Sequence, residues 1–154
     1  MNPEDWQKWI GDQFPDIVVK NAYRELSFFY NPGRLLPNGV YFSTIKESDG
    51  PNDAFSYLDR EGIFRISMGI GKKKYEEIFG RVPKRAVKGQ STLAGIWDFE
   101  QPDVLTPHPV YAWMGWVCIL NPTTLNQAMV KTLITDSYDM AVRKYEGRMR
   151  RSGT

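Results

Sequence analysis

His108 is the single histidine of the 154-residue chain, and imidazole is the side chain that most readily exchanges a proton near neutral pH. Asp98, Glu100 and Asp103 precede it and Tyr111 follows, which sets carboxylates and a phenol near an imidazole in sequence. General acid–base catalysis needs such groups within hydrogen-bond reach of one another, and a metal centre draws on imidazole and carboxylates too. The spacing fits no ligand signature of a metal site, so no metal and no cofactor is expected. Pro107 and Pro109 hold the backbone around His108 extended without aiming its ring. The plainer reading is a structural histidine at the entry to a strand. Tyr30, Tyr111, Trp113 and Trp116 offer a second chemistry: together with His108 they would line an aromatic pocket or contact surface.

Anion binding is the third. Lys72, Lys73 and Lys74 open a short helix directly after Gly69-Ile-Gly71, and Arg81, Lys84, Arg85 and Lys88 follow. A glycine turn leading into a helix is where phosphate-binding loops sit. Both templates fail here. A Walker A loop needs glycine at position 66 and Ser or Thr at 73, where Ile66 and Lys73 stand; the dinucleotide fingerprint needs glycine at 74, where Lys74 stands. Ammonium groups at a helix N-terminus oppose its dipole, each costing roughly 0.3–1 kcal/mol unless Glu76, Glu77 or an external anion offsets it. Segment 72–88 holds seven Lys/Arg against two Asp/Glu, and 143–154 five against one, although the whole chain is only +2. Such patches attract nucleic acid, or are solvated faces and a basic tail.

These groups need a scaffold, and the hydrophobic pattern supplies one. Asn2 can cap a helix that starts at Pro3, carries Trp6, Trp9, Ile10 and Phe14 at helical spacing, and stops before Pro15. Three short β-rich runs follow, 17–20, 26–30 and 40–46, separated by turn chemistry at Asn31-Pro-Gly33 and Pro37-Asn-Gly39. A fourth, Ile63–Ile70, alternates Phe64, Ile66, Met68 and Ile70 with Arg65, Ser67 and Gly69, so one face should be buried and the other wetter. Residues 81–109 show no period. Thr106–Pro122 contains the densest apolar run and reads as a central strand covered on both faces. From about Thr123 to Glu146, Leu125, Met129, Val130, Leu133, Ile134, Tyr138, Ala141 and Val142 make the apolar stripe of a long helix, with Gly147 as its stop.

The expected fold is therefore a single α+β domain over residues 1–147. It has an antiparallel meander with N-terminal and long C-terminal helices packed on the sheet, and a frayed basic tail at 148–154. Twenty-one aromatic residues, five Trp, eight Tyr and eight Phe, call for a core built on rings. Cys118 has no second cysteine to pair with and suits a reducing cytoplasm. No signal peptide and no membrane-spanning run is evident, which excludes a membrane partner from the expected set.

Phe28-Phe-Tyr-Asn-Pro, Gly39-Val-Tyr-Phe-Ser-Thr-Ile-Lys46, His108-Pro-Val-Tyr-Ala-Trp-Met-Gly-Trp116 and Ser137-Tyr-Asp-Met-Ala-Val-Arg143 together resemble an uncharacterised bacterial family known only as a domain of unknown function. More distantly, the Trp-bearing strand before a helix with a Ser-Tyr pair resembles MmcQ/YjbR-like proteins, which implies a CyaY-like fold and a proposed affinity for DNA. Neither resemblance supplies catalytic residues. The functional expectation is a non-enzymatic binding module for a small molecule or a protein. Behind it stand nucleic-acid binding through 72–88 and 143–151, and an enzyme using His108 with a nearby carboxylate.

Overall fold

A computed structural model describes residues 1–152. Helix α1 (Pro3–Gln13) begins as its sequence requires, with the Asn2 side chain accepting from the Asp5 N–H and the Asp5 carboxylate accepting from the Asn2 N–H. This reciprocal cap satisfies two amide donors that the first turn would otherwise leave open. Strands β1 (Ile17–Ala22), β2 (Glu25–Tyr30), β3 (Val40–Lys46) and β4 (Arg65–Gly69) form the antiparallel meander. Helix α2 (Lys72–Phe79) follows, then strands β5 (Thr106–Pro107) and β6 (Trp116–Leu120), and helix α3 (Thr124–Ser152). The six strands stand in the order β1-β2-β3-β4-β6-β5.

Helices α1 and α3 share one face of the sheet. Trp6, Ile10, Val130 and Ile134 have no exposed surface there, and Phe14 stacks on Tyr138 at 4.5 Å with Phe42 edge-on to both. Each ring removed from water is worth about 2–3 kcal/mol, so this aromatic layer is the main apolar tie between helices and sheet. The Tyr138 hydroxyl donates to the Pro15 carbonyl at 2.8 Å, pinning α3 to the end of α1.

A β-bulge decides which rings join that layer. The β2–β3 register shifts between Phe28 and Phe29, where Phe28 pairs Ser43 but Phe29 pairs Tyr41. Phe42 is the extra residue. It turns toward Phe28 and Tyr138, while Tyr41 crosses to the opposite face and meets Phe29 and Trp116.

Four expectations are corrected. The apolar run 106–122 is not one strand and not central: it breaks into β5, a turn with a short 3-10 helix at Ala112–Met114, and β6, which lies one position from the sheet edge. Gly115 makes the break, at φ +80°, with its carbonyl accepting from the Ile70 and Gly71 N–H groups. A Cβ there would lie 2.3 Å from the Gly71 carbonyl carbon, so Gly69-Ile-Gly71 joins β4 to α2 by close backbone packing. Strand β4 has no wet face, since Arg65 and Ser67 are as fully buried as Ile66 and Met68. The last helix continues through Gly147 to Ser152, and residues 153–154 lie outside the described residues. Leu125, expected on its buried stripe, is 89% exposed in the first turn.

The β1–β2 hairpin closes through Tyr23 and Arg24, both at positive φ (53° and 59°), where Asn-Gly is the usual pair. Each non-glycine residue there costs about 1–2 kcal/mol. Replacing the pair by Tyr23→Asn and Arg24→Gly should therefore stabilise the fold by about 1–2 kcal/mol, seen as a higher urea midpoint at unchanged slope.

Candidate functional site: the second face of the sheet

Antiparallel register places Glu25, Lys46 and Arg65 abreast on the face opposite the helices, and beside them Ser27, Thr44, Ser67, Cys118 and Thr106. A polar row of this kind ordinarily faces water. Here Lys46, Arg65, Thr44, Ser67, Cys118 and Thr106 are all buried, because the connections 47–64 and 108–115 fold over them.

Arg65 is the centre of the covered half. Its Nη1 donates to Asp53 Oδ1 and to Ser56 Oγ, each at 3.0 Å, and its Nη2 donates to Asp53 Oδ2, so the carboxylate is gripped by two parallel hydrogen bonds. The turn Gly50-Pro-Asn-Asp53, closed by mutual Gly50 and Asp53 backbone bonds, delivers that carboxylate. Burial pushes the Asp53 carboxyl upward, but the charge and hydrogen bonds of Arg65 outweigh it and hold Asp53 at about 2. Two donors in this layer, Arg65 Nε and Ser67 Oγ, have no hydrogen-bond partner. Thr44 Oγ1 lacks a bond of good geometry as well, although it lies close enough to the Tyr41 hydroxyl to ease that phenol's ionisation.

His108 belongs to the same layer. Its Nδ1 accepts from the Val110 and Tyr111 N–H groups, both at 3.1 Å, which places the proton of the neutral ring on Nε2. Burial, then the charge of Arg65, lowers its pKa to about 3. The ring is thus a neutral cap for the turn 108–112, packed 5.0 Å from Tyr111 and 6.5 Å from Trp116. Cys118 is buried below it against Thr106, with its thiol pKa raised by burial.

The other half of this face is open. Lys20, Ala22, Tyr23, Glu25, Ser27 and Phe29 form the floor and near wall of a cavity of about 550 Å³, and Lys46, Gly50 and Pro51 form its inner wall. Lys46 is the boundary between the halves. It is 7% exposed, and its ammonium has Glu25 as an ion-pair partner only at 3.9 Å, beyond hydrogen-bond range. A Cβ on Gly50 would lie 3.3 Å from that ammonium, so a side chain at this position would crowd it.

The residues singled out from sequence separate into different places. His108, Tyr111 and Trp116 do converge with one another, but Tyr30 lies across the sheet against Tyr138 and Tyr145. Trp113 takes the Arg85 guanidinium on its ring at 4.6 Å. Asp103 braces the start of α3 through Thr123 and Asn126, Asp98 accepts from the Glu100 N–H, and the Glu100 carbonyl accepts from Arg60. Those hydrogen bonds commit the Asp98 and Asp103 carboxylates elsewhere, Glu100 is exposed, and the carboxylate whose charge reaches His108 is Asp53. Among the described residues no group of three or more His, Cys, Asp or Glu could hold a metal ion.

The basic cluster is divided too. Lys73, Lys74 and Arg143 line a smaller groove of about 230 Å³ together with Glu77, Asp136 and Asp139, and Lys74 lies 4.0 Å from Asp136. Lys72, Arg81, Lys84 and Lys88 are exposed. Asp53, Arg65, Lys46 and Glu25 escaped the sequence reading. The one available signal was arginine at an alternating position of a strand whose other residues are apolar or small.

Fold and site define an α+β domain whose antiparallel sheet carries helices on one face and a loop-covered polar layer, open at one end, on the other. No helix among the described residues is long and apolar enough to cross a membrane. The chain belongs to the family of unknown function DUF6194, which matches residues 1–150. Comparison with curated proteins and with solved structures gives no match.

Removing the Asp53 charge leaves Arg65 buried and unpaired, so Asp53→Asn should cost about 3–5 kcal/mol in chemical denaturation. The acid response separates the two titrating groups. Asp53 has its pKa depressed to about 2 from 3.8, so its contribution, about 2 kcal/mol, is complete above pH 3.8 and is lost between there and pH 2. His108 also titrates below its ordinary value, 6.5, so folding loses stability from pH 6.5 downward as the unfolded chain alone takes up the proton. His108→Asn, whose amide oxygen can accept the same two N–H bonds, should hold stability flat between about pH 7 and pH 5, where the wild type declines.

Proposed function

We propose that this protein is a non-enzymatic binding module that takes a small organic molecule on the open half of the second sheet face. The carrying observation is the cavity itself: about 550 Å³, floored by Phe29, Ala22 and Ser27 and bounded by ionised residues. Small-molecule sites fall in the range of roughly 300–1,000 Å³ and combine apolar walls with a few placed polar groups. Tyr23 gives independent support. It stands 93% exposed at this cavity, held there by the hairpin turn, so its ring is free to contact a ligand.

The alternatives have less behind them. Lys73 and Lys74 share a groove with Glu77, Asp136 and Asp139, and Arg85 lies on the Trp113 ring, which interrupts the continuous basic stripe that nucleic acid needs. A buried neutral His108 whose Nδ1 is already hydrogen-bonded is poorly placed to act as a base. Kinship with MmcQ/YjbR-like proteins remains a finer proposal, supported by the Trp116 strand that leads into α3. A reducing compartment is supported by Cys118, buried as a thiol.

Titration with 8-anilinonaphthalene-1-sulfonate, a planar apolar probe, tests the reading. The wild type should bind one equivalent saturably. Ala22→Trp, which fills the floor from an exposed position, should weaken binding at least ~10-fold with the thermal midpoint unchanged. Equal binding by both proteins would refute the assignment of this cavity.

A further inference from the structure

We infer that the cavity on the second sheet face is built for a small apolar monocarboxylate, with Lys46 as the residue that receives the carboxylate. The inference rests on the binding-module reading and adds the chemical class of the ligand.

A lysine withdrawn from most of its hydration is stabilised by a close anion. Lys46 is 7% exposed, yet it lines the cavity, and its ion-pair partner Glu25 stands 3.9 Å away. The ammonium borders the cavity, and among the described residues Glu25 is its one ion-pair partner, beyond hydrogen-bond distance, which leaves its three N–H donors to whatever fills that space. A charge so placed is tolerated most easily if the molecule it meets supplies the missing acceptor.

The surroundings narrow the class further. Lys20 and Lys46 carry two positive charges at the cavity wall and Glu25 one negative charge, so the lining balances a single negative charge on the ligand. Glu25, 28% exposed in its side chain, would repel a phosphate dianion placed against Lys46 more strongly than a carboxylate. The rest of the lining is apolar or small: Phe29, Tyr23, Ala22, Pro51 and Gly50. Phe29 carries the Lys20 ammonium at 4.9 Å from its ring centre and meets the Tyr41 ring at 5.2 Å, so the ligand body packs on the part of Phe29 that these two neighbours leave uncovered. Behind Lys46 the Arg65–Asp53 pair is neutral as a unit and fixes the turn that holds Gly50 against the ammonium.

The test compares 4-phenylbutyrate, its neutral isostere 4-phenylbutyramide and 3-phenylpropyl phosphate by calorimetry and ligand-observed NMR. The carboxylate should bind the wild type roughly 10- to 100-fold more tightly than the amide or the phosphate ester, the range expected for a charge-assisted hydrogen bond out of bulk water. Lys46→Met should bring the carboxylate to within about 2-fold of the amide and leave the amide itself unmoved. Should Lys46→Met fail to fold, Glu25→Gln must strengthen carboxylate binding several-fold without changing the amide, because it removes the competing anion. Equal affinity of the wild type for carboxylate and amide overturns the carboxylate inference while the cavity reading stands. Binding of none of the three at ~10 mM overturns both.

Discussion

A guanidinium with no exposed surface must be neutralised where it lies, and Asp53 neutralises Arg65 through a two-bond grip that also fixes the fold of the chain above it. Strand β4 brings Arg65 into the middle of the sheet, on the face away from the helices. The connection 47–64 has no regular element to hold it down, yet it must cover that face. The ion pair, the Ser56 bond and the Gly50–Asp53 turn anchor it. Asp49 extends the same scheme by accepting from the Leu58 N–H while Asp59 accepts from the Asp49 N–H. The covered half of the polar layer, His108 included, takes its electrostatics from this pair.

The two faces of the sheet thus solve different problems. The helix face is an aromatic core in which stability comes from rings and aliphatic side chains packed without water. On the opposite face, polar residues are kept dry by loops, unpaired donors persist at Arg65 Nε and Ser67 Oγ, and the cover stops short of β1 and the outer part of β2. Buried polar groups without partners lower stability. Among the described residues three such groups, with Thr44 Oγ1 the third, lie on this face beside the cavity, and Trp6 Nε1 is the one in the helix core.

Much of the scaffold was legible in the chain. The Asn2 cap, the Trp6–Phe14 stripe, strands β1 to β4 and the stripe of α3 each rest on local periodicity or local turn chemistry, and these act within a few residues. The errors arose where contacts distant in sequence decided the outcome. Residues 106–122 are apolar enough for a long strand, but Gly115 has to approach the Gly71 backbone and His108 has to cap its own turn, so the run breaks. Gly147 stops nothing, because a glycine inside a long helix weakens it by only about 1 kcal/mol and the buried Tyr145 before it is already held by the sheet layer.

The candidate site was almost wholly a product of tertiary structure. Asp53 and Arg65 lie in different segments, and nothing in either neighbourhood marks them as partners; Lys46 reads as the polar end of an alternating strand. The sequence by itself determined an α+β chain with an amphipathic helix at each end and a meander between, since those features follow from side-chain period and turn residues. Only the assembled sheet decided which polar side chains face inward, because burial depends on the β2–β3 bulge, the strand register and the loops that cross above. Charge gripped by two hydrogen bonds at Arg65 and met by a longer ion pair at Lys46 is a distinction that exists only once those elements are in place.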